Sequence, residues 1–296
     1  MKRHGTAAAA LPHAAAFLTT AVLWAAALAL FGIYPFGDRS ILITDMGQQY
    51  IEYHAALYDA VTGGGSLFYT WNTGLGMNFV GLFSYYLSSP FTLLMFLFPR
   101  SAITESVLLI ISAKIAFSGL TFSIFLRRSS GVKGIINISF SALYALSAYP
   151  VVYCFNLMWL DAVVLLPLVM LALYHTINSG KTALLTTVFA LLFFSNFYTA
   201  YMVGLFSFLA LIAIVWLRRL PLRDGLRTAG RFFLSGLIAA GLTAFLTLPT
   251  VFALSDCQGT LAADNLFLGL MTDPLTLLGK FSFGSYDSIT DSGSPY

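Results

Sequence analysis

Long apolar runs, several of them close to the thickness of a bilayer when helical, constrain this chain more than any other feature. A transmembrane helix needs about 20 predominantly apolar residues, and runs of this kind recur between residues 14 and 254. Of the 296 residues, 58% are hydrophobic and 9% are charged, whereas soluble domains carry about 25% charged residues. This composition excludes a soluble globular enzyme, a disordered chain and a nucleic-acid-binding protein. It predicts an all-α polytopic membrane protein.

The apolar runs predict about seven transmembrane helices. They cover residues 14–34, 103–126, 135–154, 160–177, 182–194, 199–217 and 232–254, and together with their short connections they form one transmembrane domain, residues 1–254. The first run ends in Tyr34-Pro35-Phe36 without a small-residue cleavage site, so we expect a retained helix. Residues 85–98 are apolar but short, and Pro90 interrupts them, which fits an interfacial or re-entrant helix. Residues 35–102 are therefore expected to form a large first outer loop carrying interfacial helices.

Basic residues orient these spans, because cytoplasmic loops are enriched in Lys and Arg. With the N-terminus inside, the inner segments hold eleven of the 15 basic residues: Lys2, Arg3, Arg127, Arg128, Lys133, Lys181, Arg218, Arg219, Arg223, Arg227 and Arg231. Of the 12 acidic residues, Asp224 alone lies inside. We therefore expect a multi-pass cell-membrane protein with a basic inner face and an acidic outer face. The inner loop at residues 218–231 is expected to set the topology and to contact anionic lipids.

Two further features concern the outer side. Residues 255–296 are rich in Gly, Ser and Asp, and we expect them to begin an extracytoplasmic segment of a truncated chain. Cys154 and Cys257 both fall near the outer face; a disulfide is compatible with this placement but not required. Their spacing does not predict a metal site.

The first outer loop carries a polar and aromatic cluster of candidate functional residues: Asp45, Gln48, Gln49, Tyr50 and His54. Residues 46–60 are predicted to form an amphipathic helix on the membrane surface, capped by Thr44 or Asp45. Acidic groups near the ends of spans are candidates for function. The alternative is that Asp45 only caps a helix and the other residues form a solvated face.

A glycine-rich stretch follows and contains Trp71 and Asn72. An indole ring beside an amide suits a hydroxylated ligand such as a sugar. The alternative is a turn-rich loop with Trp71 as an interfacial anchor.

Two more clusters are predicted on the same outer side. Asn156, Trp159 and Asp161 lie between the third and fourth spans, and Asn196 and Tyr198 lie between the fifth and sixth. The alternative is that Trp159 belongs to an aromatic belt and Asp161 caps a helix. The convergence of all these clusters on one face is more informative than any one of them.

Lys114 lies within a predicted span, nine positions from Glu105, which is more than two helical turns. We therefore expect Lys114 to meet an acidic group from another span or to reach a phosphate.

Several separated motifs resemble the bacterial membrane protein family YfhO. They are Asp45-x-x-Gln48-Gln49-Tyr50, Trp71-Asn72-x-Gly74-x-Gly76, Tyr85-Tyr86-x-x-Ser89-Pro90-Phe91, Asn156-x-x-Trp159-x-Asp161-Ala162 and Ser195-Asn196-x-Tyr198-x-x-Tyr201-Met202. The resemblance runs from about residue 17 to residue 255. Family members are usually longer, with more spans.

The resemblance implies a glycosyltransferase of the GT-C architecture that takes a sugar from a polyprenyl-phosphate carrier on the outer side of a bacterial cell membrane. The implied acceptor is a cell-wall polymer such as teichoic acid. By position, Asp45 is the expected catalytic base, and Asp161 could orient the acceptor. Arg39, Arg100 and Lys114 are candidates for binding the phosphate, and His54 could also reach it. The remaining expected substrate contacts are Gln48, Gln49, Tyr50, Trp71, Asn72, Asn156, Trp159, Asn196 and Tyr198.

This chemistry does not demand a metal ion or another cofactor. Two alternatives remain open: a transporter or flippase for lipid-linked glycans, and a non-catalytic wall-assembly protein. Transporters tend to carry midplane charges and broken helices. The nearly uncharged apolar runs therefore favour the enzyme.

Overall fold

The computed structural model describes residues 4–72 and 75–257, which form a helical bundle with one small β-hairpin. The α-helices are α1 His4–Leu30, α2 Ile51–Thr62, α3 Phe79–Leu82, α4 Ile103–Ser130, α5 Gly134–Ala145, α6 Ala148–Val152, α7 Leu160–Ser179, α8 Ala183–Ser195, α9 Phe197–Leu217, α10 Leu222–Leu242 and α11 Ala244–Cys257. In the hairpin, β1 Tyr69–Thr70 pairs antiparallel with β2 Met77–Asn78. The prediction of an all-α membrane protein is confirmed.

Shorter helical turns connect these elements. Two are π-helical, Met46–Tyr50 and Phe83–Leu87, and three are 3₁₀-helical, Pro90–Leu97, Arg100–Ala102 and Leu157–Trp159. The π-helical turns matter below because both carry tyrosines of the candidate site.

Four helices are long and apolar enough to cross a membrane: Ala10–Leu30, Arg100–Ser130, Leu157–Ser179 and Phe197–Leu217. Two further pairs qualify only when each is counted as one span: Phe79–Leu87 with Pro90–Leu97, bent by 94°, and Leu222–Leu242 with Ala244–Ala253, bent by 78°. Among the described residues, length and composition thus give four to six candidate spans. The assignment of seven spans remains a prediction.

Two predicted spans are not continuous helices. The run at 232–254 begins earlier, at Leu222, and turns sharply at Thr243, whose hydroxyl donates to the carbonyl of Ala239 at 3.0 Å. Such side-chain bonding within a helix favours bending. The run at 135–154 divides into α5 and α6 because Pro150 has no N–H to donate to the carbonyl of Leu146. The bend between Leu87 and Pro90 fits the interfacial or re-entrant segment predicted there.

Helix α7 connects two hydrophobic cores. Its first turns, with Leu160 and Val163, belong to a core shared with α1, α2, α4 and residues 83–97. Its second half, with Val169 and Leu173, belongs to a core shared with α8, α9 and α10. The position of α7 therefore determines where the outer-loop segments lie relative to the rest of the bundle.

Small residues allow α1 and α4 to pack closely. A Cβ added at Gly119 would lie 2.3 Å from Thr20 Oγ1 and 3.1 Å from Thr20 Cβ. Polar side chains join the same helices, since Trp24 Nε1 donates to Ser112 Oγ at 3.0 Å. Close approach of small residues and interhelical hydrogen bonds are the main contacts by which helices associate in a bilayer.

We predict that Gly119→Ala destabilises the protein by about 1–3 kcal/mol, because the new methyl group overpacks the contact with Thr20. The measurement is the free energy of unfolding of the purified protein in detergent. Gly204→Ala is the matched control: this glycine also lies within a helix, but an added Cβ would meet no atom within 4 Å, so it should be neutral or stabilising. Equal effects of the two variants would contradict this account of the α1–α4 contact.

Candidate functional site

The predicted base, Asp45, is exposed and is linked to a buried polar pair. Tyr50 Oη lies 3.4 Å from Asp45 Oδ2 and donates to Asn156 Oδ1 at 2.9 Å. Both Tyr50 and Asn156 are buried. A phenol has a single hydrogen, so Tyr50 donates to the nearer acceptor, and the reversed amide orientation of Asn156 would release that hydrogen for Asp45. The structure thus brings together the first and third sequence clusters.

Tyr50 also belongs to a group of four aromatic side chains. Tyr50, Tyr53, Tyr85 and Tyr86, which we name the tyrosine cluster, have ring centroids 4.7–5.3 Å apart in successive contacts. Burial raises the pKa of Tyr50, with a smaller contribution from the negative charge of Asp45. These phenols therefore remain protonated hydrogen-bond donors at neutral pH.

Other predicted substrate residues lie at the edge of the tyrosine cluster. Trp159 Nε1 donates to Tyr85 Oη at 3.3 Å. The half-exposed ring of Tyr198 lies 6.1 Å from that of Tyr85. Gln48 is exposed, and Gln49 hydrogen-bonds the side chain of Tyr53. The outer cluster around Asp45 and the clusters before α7 and α9 therefore meet around one aromatic centre.

Three contacts hold the bent segment, residues 83–97, against α7, α8 and α9. Asn196 Nδ2 donates to the carbonyl of Tyr85 at 2.8 Å, while its Oδ1 accepts from the N–H of Thr199 and caps α9. Ser88 Oγ lies 3.1 Å from the carbonyl of Ser195. Ser89 Oγ donates to Asp161 Oδ1 at 2.7 Å. Non-helical backbone at membrane depth needs such partners, so Asn196 acts on the site through Tyr85 and is itself fully buried.

Lys114 and Asp161 form a buried ion pair beneath the bend. Lys114 Nζ lies 2.6 Å from Asp161 Oδ2, and it also donates to the carbonyl of Leu157 at 2.8 Å. The two side chains are 1% and 3% exposed. The expectation that Lys114 meets an acidic group from another span is confirmed. The expected roles of Lys114 in binding phosphate and of Asp161 in orienting an acceptor do not fit this burial, because both charges are already satisfied inside the protein.

His54 is also placed inside the protein rather than at the surface. It is completely buried, and Nδ1 donates to the carbonyl of Tyr50 at 2.8 Å, whereas Nε2 has no hydrogen-bond partner among the described residues. Burial lowers the pKa of His54 to about 4, and the charge of Lys114 contributes in the same direction. His54 is therefore neutral at physiological pH, and the expected contact with a phosphate does not fit its position.

Trp71 and Asn72 lie at the tip of the β-hairpin, and the structure does not describe Thr73 and Gly74 of that motif. The indole of Trp71 is 76% exposed and packs edge-on against Tyr69, with ring centroids 4.9 Å apart. No ring contact within the described residues joins Trp71 to the tyrosine cluster. Its predicted role in binding a sugar would require the substrate to extend to the hairpin.

The two remaining candidate phosphate ligands are at the surface. Arg100 makes two hydrogen bonds to the carboxylate of Asp59, of 2.7 and 3.1 Å, with both side chains half exposed. Arg39 is exposed and lines a cavity of about 350 Å³ together with Asp38 and Glu105. Within the described residues, no three His, Cys, Asp or Glu side chains are grouped so that they could hold a metal ion.

An apolar groove of about 500 Å³ is lined by Phe83 and Leu87, which belong to the same helical turn as Tyr85 and Tyr86. Its walls also include Leu57, Phe68, Leu93 and Phe245, and Ser88 and Ser89 line it as well. The same short segment therefore presents Tyr85 and Tyr86 to a polar site and Phe83 and Leu87 to an apolar one.

A comparison with protein families decides the classification of this chain. The model of the family described as bacterial membrane protein YfhO matches residues 15–294. The chain belongs to the YfhO family. No curated protein and no solved structure matched in the corresponding comparisons. Membership places this YfhO-family protein in a membrane, as the apolar helices require.

Sequence reasoning did not assign roles to Tyr85, Tyr86 and Ser89, although all three occur in a motif that carried the resemblance to YfhO. The sequence feature that could have identified them is the pair Tyr85-Tyr86, which Ser89-Pro90 follows after two residues. A proline after serine predicts a helix start with a serine cap, and here Phe91 N–H donates to Ser89 Oγ at 3.2 Å.

We predict that Lys114→Met destabilises the protein by about 3–5 kcal/mol, because it leaves the carboxylate of Asp161 buried and unpaired. The double variant Lys114→Met/Asp161→Leu should recover most of this loss. The measurement is the free energy of unfolding in detergent. Arg100→Gln is the matched control, since it removes an ion pair of similar length that is half exposed and should cost about 1 kcal/mol or less.

The pH dependence of stability tests the burial of His54. An unfolded histidine takes up a proton near its ordinary pKa of 6.5, whereas the folded protein resists protonation down to about pH 4. The unfolded state therefore binds more protons between these values, and stability should fall as the pH is lowered from 6.5 to about 4. His54→Gln should show a smaller fall in melting temperature over this range. An identical fall in both proteins would show that His54 titrates normally when folded.

Proposed function

We propose that this protein is a membrane glycosyltransferase that transfers a sugar from a polyprenyl-phosphate carrier to a cell-wall polymer such as teichoic acid on the extracytoplasmic side. The observation that carries the proposal is the position of Asp45: an exposed carboxylate beside the tyrosine cluster, whose Tyr85 and Tyr86 share a helical turn with Phe83 and Leu87 of the apolar groove. A lipid-linked sugar needs both environments next to each other, one for the saccharide and one for the hydrocarbon chain.

The proposed reaction is a direct displacement at the anomeric carbon. An acceptor hydroxyl attacks this carbon and forms the new glycosidic bond, while the bond from the carbon to the carrier phosphate oxygen breaks. The phosphate leaves with the bonding electrons, and Asp45 accepts the proton of the attacking hydroxyl. General-base catalysis of this kind typically contributes about 10²–10⁴-fold.

Side chains around Asp45 can orient the sugar. Aromatic rings pack well against the apolar faces of a pyranose, and Tyr198, Trp159 and Gln48 offer exposed or partly exposed groups near this centre. Tyr50 and Asn156 support Asp45 from below and are positioning residues rather than substrate contacts, because both are buried.

The apolar groove suits the end of an isoprenoid chain. Its lining is almost entirely hydrocarbon, and the burial of such surface is favourable by roughly 25 cal/mol per Å². Arg39 and Arg100 remain the candidates for contacting the leaving phosphate, since both are on the surface of the segments around the first outer loop. We propose no metal ion or organic cofactor for the displacement.

A transporter or flippase for lipid-linked glycans is the second candidate, and two observations favour it. Lys114 and Asp161 form an ion pair between two candidate spans, and two further candidate spans are bent, by 94° and 78°. Intramembrane charges and discontinuous helices are typical of transporters. The same groove would then carry the lipid chain without any transfer of the sugar.

Asp45→Asn tests the enzyme. In a strain lacking the gene, complementation with the full-length Asp45→Asn protein should reduce glycosylation of the wall polymer by about 10²–10⁴-fold relative to wild type. The measurement is the sugar content of the purified wall polymer, at matched protein levels in the membrane.

Glu52→Gln is the matched control, because Glu52 is another exposed carboxylate of the first outer loop and does not line the cavity that contains Arg39. It should leave glycosylation intact. Full glycosylation with Asp45→Asn would refute the role of Asp45. Movement of a lipid-linked glycan across reconstituted vesicles, without a glycosylated product, would instead establish the transporter.

A further inference from the structure

A cavity with a partly basic lining lies at the other end of α7 from the candidate site. It has a volume of about 640 Å³ and forms where the C-terminal ends of α4 and α7 meet the start of α8. Its lining consists of Arg128, Leu171, Tyr174, His175, Asn178 and Leu184. His175 is 14 positions after Asp161 on α7, which at 1.5 Å per residue places it roughly 20 Å away.

Cationic side chains from three other helices converge on this end of α7. Arg128 comes from α4. Arg218, at the end of α9, stacks over the ring of Tyr174 with its Cζ 4.9 Å from the centroid, and its Nη1 donates to Asn178 Oδ1 at 2.8 Å. The guanidinium of Arg231 from α10 lies 2.8 Å from the position that a Cβ would take at Gly180.

The C-terminal end of a helix attracts cations by itself, but that effect does not account for an open cavity among them. Within the part of the chain that the structure describes, Arg128 and Arg218 make no ion pair with a carboxylate. The cavity therefore carries positive charge that an anion would neutralise.

The rest of the cavity lining is apolar. Leu171 lies on α7, and Leu184, on α8, is 44% exposed. A free phosphate ion would contact only the basic side chains of the lining. A phospholipid carries an anionic headgroup joined to a hydrocarbon chain. It therefore complements both the basic and the apolar side chains of the lining.

We propose that this cavity binds the headgroup of an anionic phospholipid, with Arg128 and His175 facing the phosphate and the acyl chain lying along Leu171 and Leu184. An arginine guanidinium can make two parallel hydrogen bonds to phosphate oxygens. Basic pockets between transmembrane helices on the cytoplasmic side are suited to lipid headgroups. The distribution of Lys and Arg predicts that this is the cytoplasmic side.

The test is native mass spectrometry of the full-length protein, purified in detergent and mixed with phosphatidylglycerol, phosphatidylcholine or inorganic phosphate. We expect retention of phosphatidylglycerol in preference to the other two. Arg128→Gln should weaken this retention about fivefold, the effect expected for one basic residue near a lipid phosphate. Leu184→Trp should also weaken it, by filling the apolar wall while keeping every charge.

Arg223→Gln is the matched control. Arg223 is an exposed arginine on the same predicted side of the membrane, and it does not line the cavity. It should leave retention unchanged. Equal losses in Arg128→Gln and Arg223→Gln would show diffuse attraction and overturn the site. Equal retention of phosphatidylcholine, or full competition by inorganic phosphate alone, would overturn the choice of an anionic phospholipid.

Discussion

The ion pair between Lys114 and Asp161 is the contact on which the arrangement of the outer half depends. Charges inside a bilayer are costly unless they are paired and hydrogen-bonded. Here the ammonium is satisfied by Asp161 and by the carbonyl of Leu157, and the second carboxylate oxygen accepts from Ser89. One contact therefore joins α4, α7 and the bent segment. Sliding α4 along α7 by one turn would separate the charges, so the pair specifies the register of these two helices.

The bent segment, held in place by this register, contributes to two different environments. Ser88, Ser89 and the carbonyl of Tyr85 are held by Ser195, Asp161 and Asn196. The backbone of residues 83–87 is thereby fixed, so that one turn contributes Tyr85 and Tyr86 to the tyrosine cluster and Phe83 and Leu87 to the apolar groove. A continuous helix would not need these side-chain partners. The break allows a polar site and an apolar groove to share one short segment.

The sequence was sufficient to predict what depends on composition and local pattern. The apolar runs correctly indicated α1, α4, α7 and α9, and the repeated polar and aromatic motifs indicated that Asp45, Asn156 and Trp159 belong to one region. The sequence could not distinguish a surface polar group from a buried one. His54, Asp161 and Asn196 have the same residue types as catalytic or binding groups, but tertiary packing buries all three and gives Asp161 and Asn196 distant partners. The pairing of Lys114 with Asp161, 47 residues apart, depends on helix packing that local spacing does not encode. The bend at Thr243 was not predicted, because the hydropathy of a segment is the same whether its helix is straight or bent.

These contacts also favour Asp45 over Asp161 and Asp59 as the proposed base. A base must have an oxygen available for the proton that it removes. Both oxygens of Asp161 already accept from buried donors, and both oxygens of Asp59 accept from Arg100. Asp45 is exposed, its contact with Tyr50 is long at 3.4 Å, and it adjoins the aromatic cluster. The buried pair and the surface pair thus stabilise the scaffold, which leaves Asp45 as an open carboxylate at the place where a saccharide could be held.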